Sequence, residues 1–189
     1  MDYGVLLGVI GIAVGVLGLA VATPPFLQLR LGRPAPFASF AMSHEQGMTL
    51  LLGCIDSRPV NKLLSFLGVR REGAPVFVIY DIREHGTNRI VVSAFRAMLS
   101  DTASHNRSIC QMLQPPLPLV YVVVQHDDKN GATVENHAPG DHKLITLDEG
   151  EYFVDARIGF QDGVIPKRQS FTIAGTKDGT QWTFRPLPR

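Results

Sequence analysis

A stretch from Gln125 to Lys143, QHDDKNGATVENHAPGDHK, collects His126, Asp127, Asp128, His137, Asp141 and His142. Imidazole and carboxylate together suit zinc or another divalent metal ion. If two strands bring the ends of the stretch together, His126 faces His142, and the ligand set is His126, Asp128, His137, Asp141 and His142. As a calcium loop the stretch fails. Asp128, Asn130 and Gly131 fit positions 3, 5 and 6, but histidines stand at positions 1 and 12, where carboxylates belong. The competing reading is a polar hairpin loop with Asn130-Gly131 as a type I′ turn and no ion.

A second group is Cys54-Ile55-Asp56-Ser57-Arg58, placed directly after an apolar run. It resembles the C-x-D-S-R motif of β-class carbonic anhydrases. The resemblance implies Cys54 as a zinc ligand and Asp56 with Arg58 as a dyad beside metal-bound water. That family completes its site with a His-x-x-Cys pair, which this sequence lacks: His105 precedes Cys110 by five residues, and His85 has no cysteine near it. One thiolate does not close a zinc site. The alternative is a strand end, a turn and a helix cap. No G-x-S-x-G, H-E-x-x-H or phosphate-cradling glycine loop is present.

Composition bounds the rest. The chain has 189 residues, with 18 basic and 17 acidic side chains and a net charge of +1. There is no basic excess of the kind nucleic-acid binding needs. Its two cysteines, Cys54 and Cys110, allow one disulfide at most, so this is not a disulfide scaffold.

The elements that must position these groups begin with Tyr3–Ala22, YGVLLGVIGIAVGVLGLAVA, which has no charged side chain. About 20 apolar residues in a helix match the hydrocarbon thickness of a bilayer, and Pro24 and Pro25 end the run. Gly4, Gly8, Gly11, Gly15 and Gly18, continued by Ala22, recur at alternating spacings of four and three. That spacing puts them on one helix face, where small residues let membrane helices approach closely. The expected partner is a second copy or another transmembrane helix. A cleaved signal peptide is the rival, since Ala20-Val21-Ala22 fits A-x-A, but no basic residue precedes the run. Arg30 and Arg33 follow it, which places the C-terminal domain in the cytoplasm by the positive-inside rule.

Residues 26–47 then read as a juxtamembrane connector, in which Leu27, Leu29 and Leu31 alternate with polar residues as a short strand does. Residues 48–189 read as a β domain. Met48–Ile55, Pro75–Arg83, Arg89–Leu99, Leu119–Gln125 and Lys143–Leu147 are strand candidates. One short helix is inserted, capped by Asp56 or Ser57, with Val60, Leu63, Leu64 and Leu67 as its apolar stripe and Gly68 as its stop. From Glu151 to Phe160 polar and apolar residues alternate, as in a strand buried on one face. Tyr152, Val154, Ile158, Phe171 and Ile173 are the expected core.

The phrase GEYFVDARIGF, followed by SFTI, resembles the closing strands of bacterial immunoglobulin-like modules. The fold class expected is therefore a single transmembrane helix (1–25) joined to a mainly-β, immunoglobulin-like antiparallel sandwich. The function expected is a single-pass, membrane-anchored binding or assembly module with an unidentified ligand. The alternatives are a ligand-gated oligomeric membrane effector, and a zinc-dependent enzyme using Cys54 or the His126–His142 loop. No cofactor is expected beyond that metal ion.

Overall fold

A computed structural model describes residues 27–45, 47–102, 106–127, 131–176 and 179–185, from residue 175 onward as backbone alone. The chain divides into two compact units, residues 1–35 with 58–72 and residues 36–57 with 73–189.

The second unit is built from two antiparallel sheets. In the first, β1 (Pro36–Glu45) pairs with β2 (Met48–Ser57), and β2 pairs with β8 (Leu119–Asp127). The far edge of β8 carries β5 (Leu99–Asp101), followed by β6 (Arg107–Ser108). The same edge of β8 carries β9 (Gly131–Ala138), which in turn pairs with β10 (Asp141–Leu147). In the second sheet the order is β13 (Gly179–Arg185), β12 (Gly163–Thr176), β11 (Gly150–Phe160), β3 (Ala74–Glu84) and β4 (Ile90–Arg96). The strand β7 (Cys110–Leu113) also pairs with β3.

Sequence chemistry explains the elements. The run LVYVVVQ of β8 is rich in β-branched and aromatic residues that suit a pleated surface. Gly47, at φ +80°, turns the β1–β2 hairpin, and Gly140, at φ +78°, turns β9 into β10. The period-two alternation of β11 is seen directly: Tyr152, Val154, Ala156 and Ile158 are buried, while Glu151 and Arg157 are exposed. All five expected core residues from β11 and β12 are buried. They join residues of the first sheet, such as Ile55, Tyr121 and Val134, in one hydrophobic cluster between the sheets.

The first unit is described over 27–35 and 58–72. Residues 27–31 form a helical turn, not a strand. The Gln28 side chain amide acts as a backbone surrogate. It accepts from Arg70 N at 2.8 Å and donates to Arg70 O at 2.8 Å. Arg71 donates to Leu31 O at 2.7 Å, Arg33 O at 2.9 Å and Arg58 O at 3.1 Å. A second helix, α1 (Lys62–Phe66), is capped by Asn61, whose side chain accepts from Leu63 N at 3.1 Å. The cap is thus Asn61, not Asp56 or Ser57, because Ser57 still belongs to β2. The apolar residues of α1 do not form a core stripe: the helix buries none of its residues, and Phe66 is 88% exposed.

The fold expectation is corrected in one part. Two mainly-β antiparallel sheets are present, but no helix among the described residues is long and apolar enough to cross a membrane. Residues 27–31 and α1 are far shorter than the roughly 20 residues that a crossing needs. A single-pass membrane localisation with a cytoplasmic β domain is therefore not supported. The run Tyr3–Ala22, with Gly4, Gly8, Gly11, Gly15, Gly18 and Ala22, lies outside the described residues. The stretch read as a connector also changes, because its second half is the strand β1.

Candidate functional site

The outward faces of the two sheets differ in chemistry. On the second sheet, the pairing sets Asp155 opposite both Arg168 and Asp81. Arg168 donates to both Asp155 carboxylate oxygens, one contact at 2.7 Å, and Arg83 lies 3.5 Å from the same carboxylate. Arg157 donates to Asp81 at 3.1 Å, and Asp81 also accepts from Ala94 N at 2.7 Å. Ala94 has φ +54°, within the irregular pairing of β3 with β4. The Phe153 ring is flanked by His85 at 4.9 Å and by the Arg168 guanidinium at 5.1 Å. Charge and cation–π contacts tie these side chains together, and Phe77 (43% exposed) and Val164 (61% exposed) are apolar positions on the same face.

The outward face of the first sheet is apolar and concave. Leu50 and Leu52 of β2, Val120 and Val122 of β8, and Leu144 of β10 line a groove of about 570 Å³. Val122 is 39% exposed and Leu144 65%. The pairing of β2 with β8 slips between Leu51 and Leu52, where Val123 is the extra residue. Such a bulge bends its strand and re-aims its side chains. Here Val123 and Val124 are both buried while Val122 stays outside. Glu45, Asp101, Arg107, Gln125, Glu135 and His137 line the groove as well.

At one end of the groove the β9–β10 hairpin sets His137 directly opposite His142. Glu135 is two residues from His137 and therefore on the same face. One ligand atom from each of Glu135, His137 and His142 falls within 4.8 Å of the others. His137 Nδ1 lies 3.8 Å from Glu135 Oε1.

The metal set expected from sequence is therefore divided. His137 and His142 come together. His126 does not join them: it pairs with Ala132, and only 2% of it is exposed. Asp141 pairs with Ala138, and its carboxylate accepts from Asn136 Nδ2 at 2.9 Å. Asp128 lies outside the described residues. Glu135 was not among the expected ligands, although ATVENHA alternates with period two. Ala132, Val134 and Asn136 are buried, and Thr133, Glu135 and His137 are not.

The Cys54 motif resolves into a strand end. Cys54 pairs with Ser39 and Val120 across β2. Burial first, and then the Asp56 charge, push its thiol above the ordinary range, while a hydrogen bond with Ser39 pulls the other way. Asp56 Oδ1 accepts from Ser57 N at 2.7 Å. Among the described residues, the only group of three metal-ligating side chains is Glu135, His137 and His142, so the neighbours of Cys54 do not assemble a zinc set. Arg58 belongs to the first unit, where its carbonyl accepts from Arg71. Cys54 and Cys110 are both free thiols. No protein-family model, no curated protein and no solved structure matches this chain.

Proposed function

We propose that the protein is a binding module whose β unit takes a small, mainly apolar molecule in the groove on the outer face of its first sheet. The observation that supports this is the contrast between the two outer faces. The second sheet's face carries the Asp155, Arg168, Arg83 and Arg157 network and only a smaller cavity, of about 250 Å³ beside Phe77, whereas the first presents Leu50, Leu52, Val120, Val122 and Leu144 in a concavity of about 570 Å³. Small-molecule sites are typically apolar clefts of about 300–1,000 Å³ with a few polar groups at the edge. The acidic and basic lining residues supply those polar groups.

Prodan, a neutral naphthalene fluorophore, tests the reading. Its emission should rise and shift to the blue on titration with the full chain. Val122→Arg should abolish the change by placing a charge in the groove. Val164→Arg, at an apolar position 61% exposed on the second sheet, should leave it intact. Equal enhancement by both variants and the parent would overturn the groove as the site.

A further inference from the structure

We propose that Glu135, His137 and His142 form a binding site for a borderline divalent transition-metal ion of the zinc type, held on the β9–β10 hairpin by two imidazoles and one carboxylate. The set differs from the one the sequence suggested, since it omits His126, Asp128 and Asp141 and adds Glu135. It stands independently of any ligand in the groove.

The first argument is geometry. The three ligand atoms lie within 4.8 Å of one another. Nitrogens and oxygens bound to zinc at about 2.0–2.2 Å are separated from each other by little more than 3 Å in a tetrahedron. Small side-chain rotations therefore suffice, with no change in strand register. His137 and His142 are cross-strand partners, so the hairpin itself fixes their separation.

The second argument is that the backbone beneath the site is already held. The Glu135 carbonyl accepts from the Tyr80 hydroxyl at 3.1 Å, and Tyr80 is fully buried. Asn136, between the two ligands of β9 and 3% exposed, uses both ends of its amide. Its Oδ1 accepts from Arg96 N at 3.0 Å and from Ala138 N at 3.2 Å. Its Nδ2 donates to Asp141 at 2.9 Å. Ligands on a backbone fixed in this way lose little entropy on binding, which is what a preorganised site requires.

The third argument is selectivity. Calcium and magnesium take mainly oxygen ligands, six or more in the calcium case, and this set offers one carboxylate. Two imidazoles and one carboxylate suit zinc, with nickel and copper as competitors in the usual affinity order. Three protein ligands leave a coordination position open. Glu135 and His137 also line the groove.

The test is calorimetric titration of the full chain with zinc chloride and, separately, calcium chloride. Cobalt(II) absorption provides a second readout of the ligand set. The expected result is one zinc ion per chain, a rise in melting temperature with zinc, and no heat from calcium. His137→Ala and His142→Ala should each weaken zinc binding by at least about tenfold, since even outer-shell groups are worth 10–100-fold. His85→Ala, which removes the imidazole facing Glu151 on the second sheet, should change nothing. Circular dichroism of each variant separates loss of fold from loss of ligand. Zinc binding of equal strength in the parent and in folded His137→Ala or His142→Ala would overturn the site, as would a folded parent that binds no zinc.

Discussion

Tyr121 occupies the space that a side chain on Gly53 would need. The two residues are partners across β2 and β8, and a Cβ built on Gly53 would stand 2.0 Å from Tyr121 Cζ. Tyr121 is 2% exposed and belongs to the core cluster. Gly53→Ala should therefore destabilise the β unit by about 1–3 kcal/mol, as overpacking of a close-packed core does. Chemical denaturation measures it. A change below a few tenths would show that the ring moves freely. In a Tyr121→Ala background the same Gly53→Ala substitution should cost less than it does in the parent, since the clash is gone.

The Cys54 thiol supplies a pH prediction. Its pKa is raised, by burial first and then by Asp56, so the folded state holds the thiol proton more tightly than the unfolded chain does. The stabilisation is present below the ordinary thiol range and is lost as pH rises through the raised value. In a Cys110→Ser background, iodoacetamide labelling should reach half its maximal rate above the usual thiol range of about 8.5. Asp56→Asn should lower that midpoint and Ser39→Ala should raise it. Midpoints that coincide in all three proteins would refute the assigned causes.

Arg71 supplies a prediction for the first unit. Its guanidinium reaches three carbonyl oxygens, on Leu31, Arg33 and Arg58. A lysine keeps the charge but not the planar fork. Arg71→Lys should cost about 1–2 kcal/mol, the scale of hydrogen bonds made by a charged group. It should speed hydrogen exchange in 27–35 and 58–72, while amides of β11 keep their protection. Uniformly faster exchange throughout the chain would show instead that the two units unfold together.

What could be read from the residues follows from burial. The β11 alternation was legible because one face of that strand is buried and the other is not. β9 was hidden for a chemical reason: GATVENHA sits among His, Asp, Asn and Gly residues, which in isolation describe a loop. Only one of its inward positions, Val134, is a branched apolar residue, and Asn136 is a core residue only because Arg96, Ala138 and Asp141 satisfy its amide. Glu135 was missed with the strand that carries it. α1 shows the opposite error. Leu63, Leu64 and Leu67 have the spacing of a packed helix, but spacing does not say whether anything packs there, and Leu63 is 67% exposed. The division of outer faces into charged and apolar was not readable, because it depends on which strands become neighbours.

Asn136 also governs how the hairpin can move. Its amide joins β9 to the backbone of β4 in the opposite sheet, and the Tyr80 hydroxyl makes a second such tie at Glu135. Fraying of β10 leaves both ties intact, whereas lifting β9 breaks both and exposes the cluster beneath. Amides of β10 should exchange through local opening, and those of β9 more slowly, because their opening breaks both ties.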